Sequence, residues 1–409
     1  MKGERVARAG ASLTWSGPEG SSHNEPHLGR CPASHPTPRG AMWPPALGHS
    51  AIPPEQTPSL EALGWSDDFA DQITPEDADS LPARVAQVHR DRLAVLTADG
   101  PREVALPNGH PSGSFAVGDW VMISASQSVM RRRLDRHSLL QRRVHSRAGS
   151  RNIGEYRLIG ANIDTLFITT SCNADFNVAR LERYLTLAHD AGVEPVILLT
   201  KADMADDPEN YAIEAQKLGR DLAVLVLDAH APDVPEKLAQ WCGMGKTVAL
   251  AGSSGVGKTT LTNALTGKDE ATQGVRDDTR GRHTTTARSL HPLPQGGWLI
   301  DTPGIRGLGV SDAATGIDVT FAEITELTAQ CKFRDCAHEG EPGCAVQAAI
   351  TSGEIDADRL DRWRKLSAED AVNTASSGAA MGKGYGITKR GKGKALAKQI
   401  KAAQKHKKR

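Results

Sequence analysis

Between residues 81 and 144 short apolar runs alternate with Gly and Asn turns: Ala83 to Val88, Leu93 to Leu96, Glu103 to Leu106 and Trp120 to Ser124. Short strands at that spacing predict a small β-barrel, and a five-stranded OB-type barrel is one architecture of this size. From Asp164 to about Gly304 the pattern changes. The β-rich runs Thr165 to Thr170, Pro195 to Thr200, Leu222 to Leu227, Thr247 to Ala251 and Trp298 to Ile300 alternate with helical stretches such as Val178, Leu181, Tyr184 and Leu185. That alternation predicts an α/β fold, a mostly parallel sheet covered by helices. Phe321 to Gln330, Ala345 to Ile350 and Asp356 to Asp370 then carry helical spacing. The ends differ from the middle. Residues 1–80 are rich in Pro, Gly, Ser and Ala without a period, with Met42 a second candidate start, while Met381 to Arg409 hold eleven Lys or Arg and no acid. The shifts predict five segments: a disordered extension (1–80), a barrel (81–150), an α/β domain (151–310), a helical domain (311–372) and a basic disordered tail (373–409).

Charge changes this picture only through its distribution, because 49 basic side chains balance 49 acidic ones. Arg131 to Arg147 carries seven arginines against the single acid Asp135. Such a stretch is either a solvated loop or an RNA contact, and a neighbouring OB-type barrel favours contact. No apolar run approaches the ~18 residues of a membrane span, and no secretory leader is visible, so a cytoplasmic protein with no membrane partner is expected. Cys31, Cys172 and Cys242 are scattered, whereas Cys331, Cys336 and Cys344 cluster around His338. Three thiolates and an imidazole suit one tetrahedral Zn²⁺, and four protein ligands leave no open position, so the metal is structural.

Gly252-Ser253-Ser254-Gly255-Val256-Gly257-Lys258-Thr259 follows the strand Val248 to Leu250 and precedes a helical run beginning at Thr260. This is the P-loop context, in which curled backbone N–H groups face phosphates at a helix N-terminus. Lys258 then reaches the β and γ phosphates, and Thr259 offers its hydroxyl to Mg²⁺. Asp301-Thr302-Pro303-Gly304 ends a later strand; Asp301 is placed to hold Mg²⁺ through water and the Gly304 N–H to sense the γ phosphate. Between them, one threonine of Arg280 to Thr286 can close over the metal, and Thr285 is the choice. Thr200-Lys201-Ala202-Asp203 matches a guanine-reading loop: the Asp203 carboxylate accepts from guanine N1–H and its exocyclic amine, whereas adenine has no N1 proton. Lys201 lays its stem along the base, and Thr200 replaces the usual Asn with loss of an amide donor. Asp203 precedes Gly252 by 49 residues, the reverse of the common order, so the fold is a circularly permuted P-loop GTPase.

The chain resembles the ribosome small-subunit-dependent GTPase A family (RsgA, also called YjeQ) from Leu81 to about Asp370. The resemblance includes Val117-Gly118-Asp119-Trp120-Val121, Ala161-Asn162-Ile163-Asp164, Gly281-Arg282-His283-Thr284-Thr285-Thr286 and the cysteine segment. It implies an N-terminal OB-type barrel, a permuted GTPase domain and a C-terminal helical zinc-binding domain. It also implies GTP hydrolysis late in maturation of the small ribosomal subunit, with that subunit and its rRNA as partners of a monomer. Asp228-Ala229-His230 stands where the family carries Ser-Ala near guanine. Ile305 occupies the place of the water-orienting glutamine of Ras-like enzymes, which predicts slow hydrolysis until another group, His283 by this reading, positions or deprotonates the water. The alternative is a non-enzymatic rRNA-binding assembly factor with a structural nucleotide, and an ATP-dependent enzyme is disfavoured by Asp203.

Overall fold

The structure, a computed structural model, describes residues 58–107, 109–143, 156–268, 288–301 and 310–378. After the single-turn helix α1 (Asp67–Ala70) come β1 (Ser80–Val88), β2 (Arg92–Thr97), β3 (Gly100–Ala105), β4 (Trp120–Ser124) and β5 (Met130–Arg133). They pair antiparallel in the order β3-β2-β1-β4-β5. A parallel bridge between Ala105 and Val129 joins the two outer strands. The result is a five-stranded OB-type barrel whose outer strands meet, so that its sheet edges are covered by each other.

The fifth strand takes in Arg131, Arg132 and Arg133 of the arginine-rich stretch, so that part of it is not a loop. Arg132 donates to Asp77 at 3.0 Å and to Gln72 O at 2.7 Å. Arg136 grips both oxygens of the buried Asp119, at 2.6 and 2.7 Å, and Asp119 also accepts from Ala116 N. Removing one partner of a buried pair strands the other charge. Arg136→Leu is accordingly expected to cost about 3–5 kcal/mol, read as a lower urea midpoint of the barrel's unfolding transition.

Residues 58–80 are folded, in contrast to the extension expected up to residue 80. Leu63 and Phe69 are buried, and Trp65 and Phe69 pack on Trp120 with ring centroids 4.9 and 5.8 Å away. A few anchors among polar and Pro residues make no period, so long-range packing orders this strap. It also joins the barrel to the next layer. Trp298 Nε1 donates to Ala62 O at 2.7 Å, and buried Arg84 of β1 donates to Leu63 O and Thr247 Oγ1. Burial lowers the Arg84 guanidinium to about 10, opposed by Asp164.

The family segments at 117–121 and 161–164 form the same junction. Gly118 has φ +90°, and a Cβ there would sit 2.2 Å from Ala161 O, so only glycine permits this approach. Asn162 donates to Gly118 O at 2.9 Å and accepts from His137 N, while Asp164 accepts from Thr247 N at 2.8 Å.

An antiparallel hairpin of β6 (Leu139–Arg143) and β7 (Tyr156–Ala161) leads into the α/β layer. There follow β8 (Thr165–Ser171), α2 (Val178–Ala191), β9 (Glu194–Thr200), α3 (Pro208–Gln216), β10 (Ala223–Val226), α4 (Val234–Lys237), α5 (Ala239–Cys242), β11 (Thr247–Gly252), α6 (Lys258–Thr266), β12 (Ser289–Pro292) and β13 (Trp298–Asp301). The sheet order is β10-β9-β8-β11-β13-β12, parallel except at β12. Successive strand residues point to opposite faces. Leu166, Ile168, Ile197 and Leu199 therefore pack with Leu181 and Leu185 of α2, while Phe167, Val196, Leu198 and Leu250 pack with Leu261 and Leu265 of α6.

The C-terminal helices are α7 (Ala314–Thr320), α8 (Ala322–Thr328), α9 (Ala345–Thr351) and α10 (Ala357–Gly378). The helix expected from Phe321 is α8, and an unexpected helix, α7, precedes it; between the two, Phe321 is buried beneath the Arg359 guanidinium, 4.5 Å from its ring centroid. Helix α10 runs past the expected boundary at 372, and Asn373 donates to Val310 O at 2.7 Å. These helices are fastened to α2. Glu182, buried, accepts from Arg359 at 2.9 Å and Arg362 at 2.8 Å, Arg183 forks onto Glu369, and Gly316 lets α7 approach Thr186 O so closely that a Cβ would lie 2.1 Å from it.

Candidate nucleotide and metal sites

Open parallel sheets bind ligands beyond the carboxyl ends of their strands, where the chain switches direction. Here that point lies between β8 and β11, with β9 and β13 flanking them. Thr200 ends β9, Gly252 ends β11 and Asp301 ends β13, so the sequence-predicted segments reach one edge despite their permuted order.

The phosphate loop needs its glycines for stated reasons. Gly252 has φ +144° with Thr169 O 2.2 Å from where a Cβ would be, and Gly257 has φ +90° at the start of α6. Lys258 Nζ donates to Gly252 O at 3.0 Å and to Ser253 O, which holds the ammonium across the loop. Ser254, Gly255 and Thr259 are exposed, Val256 is buried, and Thr260 is half-buried at the start of α6.

Thr200 is fully buried, and its hydroxyl lies 2.7 Å from Val256 O and 3.1 Å from Thr170 O. The single hydroxyl proton goes to the nearer carbonyl. Thr200 thus supplies a donor that ties the base loop to the phosphate loop, so replacing Asn does not leave this junction without one. Lys201 takes the left-handed conformation, φ +57°, which costs a non-glycine residue energy and is found where a loop is held for function. It turns the chain so that Ala202 and Asp203 form a short 3-10 turn, with Asp203 exposed. The Asp228-Ala229-His230 loop closes the same side: Asp228 accepts from His230 N at 2.8 Å, and a Cβ on Gly257 would lie 3.7 Å from Thr200 Oγ1 and 3.8 Å from Ala229 Cβ. His283, Thr285, Gly304 and Ile305 lie outside the described residues.

Sequence reasoning missed two residues of α2. Tyr184 hydrogen-bonds the Gly252 backbone, and burial, partly offset by Arg180 and that bond, pushes its phenol up. Arg180 Nη1 donates to Ser253 Oγ at 2.6 Å. Neither carries a motif; only their i, i+4 spacing, which puts both on one helix face, marked them.

The metal-ligand candidates do converge. Cys331 Sγ lies 3.9 Å from Cys344 Sγ and 3.6 Å from His338 Nδ1, which is 3.5 Å from Cys344 Sγ; with Cys336 all donor atoms lie within 4.8 Å. Zinc bonds of ~2.3 Å to sulfur and ~2.0 Å to nitrogen give tetrahedron edges of about 3.8 Å and 3.5 Å, so the donor set fits that ion. Desolvation, opposed by the His338 backbone N–H and reinforced by the Cys344 and Cys331 sulfurs, pushes the Cys336 thiol up to about 12. The frame is specific. His338 has φ +61°, its carbonyl accepts from Gln347 and Arg364, and the Glu341 carboxylate accepts from the N–H groups of Ala337 and Glu339.

Comparison with known proteins agrees with this geometry. Residues 133–311 match the family described as RsgA GTPase. A small ribosomal subunit biogenesis GTPase RsgA of Mesorhizobium japonicum is 54% identical, covering 78% of this chain and 92% of the relative. A namesake of Streptomyces coelicolor is 41% identical, covering 78% and 89%. Among solved structures, YjeQ from Thermotoga maritima superposes with a TM-score of 0.53 at 24% identity, over 70% of this chain and 97% of that one. YloQ, a circularly permuted GTPase, gives 0.52 at 22%, over 74% and 99%. With relatives of 54% and 41% identity along most of its length, this chain belongs to the RsgA family of circularly permuted GTPases.

Proposed function

We propose that the chain hydrolyses GTP in this pocket when it is seated on the small ribosomal subunit, as a cytoplasmic monomer acting late in subunit maturation. The observation that carries the reading is the Thr200 hydroxyl on Val256 O, which makes a base loop and a phosphate loop one cradle. Asp203 selects guanine through two donor groups that adenine does not present. The N–H groups of the loop from Gly252 to Thr259 and the Lys258 ammonium bind the phosphates. Thr259 and Asp301 would hold Mg²⁺, which when bound would offset phosphate charge. Thr285 and the Gly304 N–H would complete the site toward the metal and the γ phosphate. The attacking water adds to the γ phosphorus as the bond to the β–γ bridging oxygen breaks; His283 orients that water.

The relatives, small ribosomal subunit biogenesis GTPases, support the subunit as partner, and the OB-type barrel supports contact with its rRNA. The Cys331, Cys336, His338 and Cys344 set holds one structural Zn²⁺, which fixes the turn between α8 and α9. By this reading the domains are the barrel, the permuted GTPase layer and the zinc-binding helices. No helix among the described residues is long and apolar enough to cross a membrane.

Multiple-turnover phosphate release tests the proposal. Small subunits are expected to raise the rate by roughly 10³-fold or more, and His283→Ala to remove most of that gain. GTP bound without turnover, with or without subunits, would leave the alternative of an rRNA-binding factor with a structural nucleotide.

A further inference from the structure

Arg180 stands in the first turn of α2, which carries no acidic residue. Its N–H is capped by the Asn177 side chain at 2.9 Å, and its guanidinium leaves the helix for the phosphate loop. Nη1 donates to Ser253 Oγ at 2.6 Å and, more weakly, to Asp175 O at 3.4 Å. Neither acceptor is charged. Ser253 also accepts from Lys258 through its carbonyl, so two cations meet on one residue of the loop.

Both cations sit where helix electrostatics disfavour them. Arg180 lies at the N-terminal, partially positive end of α2, and Lys258 begins α6. Such a concentration of positive charge is relieved by an anion, and the anion that a phosphate loop admits is the polyphosphate of its nucleotide. A guanidinium has five N–H donors in a planar fork, so the Ser253 contact leaves Arg180 donors to spare. Rotation about its long side chain swings the fork without moving α2.

We propose that Arg180 contacts the γ phosphate of bound GTP and stabilises, from within the same chain, the charge that develops on the transferred phosphoryl group. This rests on reading Gly252 to Thr259 as the phosphate site. Water forms the new P–O bond, the β–γ bridging oxygen leaves on GDP with the bonding electrons, and the proton of water ends on phosphate. Arg180 takes and gives no proton.

The test is single-turnover hydrolysis together with titration of GDP and a non-hydrolysable GTP analogue. Arg180→Ala is expected to slow phosphate release by at least about tenfold, toward the larger losses typical of such arginines, and to weaken the GTP analogue more than GDP. Arg180→Gln keeps a donor for Ser253 Oγ but not the charge, and should be as slow as Arg180→Ala, whereas Arg180→Lys should regain part of the rate. Full activity in Arg180→Gln, or equal weakening of both nucleotides in Arg180→Ala, overturns the assignment and leaves Arg180 a loop anchor. If the unaltered protein binds neither nucleotide, it is the phosphate site itself that falls.

Discussion

Stripping zinc, or replacing Cys344 with Ser, is expected to unfold the segment between α8 and α9 and to lower the melting temperature by roughly 10 °C or more. The C-terminal core is small, built from residues such as Val310, Ile317, Phe321, Ile324, Val346, Ala349 and Leu360. Residues 329–344 between its helices form only turns and bends. On the proposed zinc reading, their order rests on the ligand set together with the bonds around His338 and Glu341. Cys344 has a double role, because its sulfur also accepts from Gln347 N and so caps α9. Helix α10 should survive the loss, since Arg359 and Arg362 anchor it to Glu182. Metal analysis with hydrogen exchange checks this: amides of 329–347 should lose protection while those of α10 keep it. A zinc-free protein with unchanged melting would refute the structural role.

Asp203→Asn is expected to weaken GDP binding by about 3 kcal/mol, roughly 100-fold, and to favour xanthosine diphosphate. On the proposed reading the native carboxylate accepts from N1–H and from the amine at C2. The amide that replaces it keeps one acceptor but turns a donor toward C2, where xanthine carries a carbonyl. The loss for guanine and the gain for xanthine come from the same exchange of acceptor for donor, so they should appear together. Calorimetric titration of both nucleotides reads the crossover. Equal weakening of the two would indicate a damaged loop rather than a reversed hydrogen bond.

Most of the parallel sheet was legible because its strands are buried on both faces. Thr165 to Thr170 and Thr247 to Ala251 are continuous apolar or β-branched runs bounded by turns. The candidate pocket's segments could be marked for a related reason: phosphate loops and base loops demand particular residues at fixed spacing. What was hidden depended on distant partners. The hairpin of β6 and β7 includes Gln141, Arg142 and Arg143 and reads as charged loop, since a two-stranded hairpin needs no apolar alternation. The strap at 58–70 shows itself only through Trp120, Arg84 and Trp298. Thr200 looked like a lost amide, and its hydroxyl bond to Val256 O requires two loops 56 residues apart to be brought together. Helix α7 was hidden because its residues, among them Thr315, Gly316, Val319 and Thr320, have weak helix propensity.

The chain that leaves Asp301 reaches Cys331 thirty residues later, one covalent connection between the nucleotide pocket and the C-terminal helices. The described residues add a second connection. One helix, α2, touches the phosphate loop through Arg180 and Tyr184 and holds α10 through Glu182 and Arg183. A shift of α2 would therefore be felt at both ends.

The most direct measurement is a crystal structure of the protein with GDP and Mg²⁺. The account predicts guanine N1 and its amine within hydrogen-bond distance of the Asp203 carboxylate, and the β phosphate among the N–H groups of residues 254–259 beside Lys258. A nucleotide whose phosphates lie in that loop while its base turns away from Asp203, or one bound at another edge of the sheet, would contradict it.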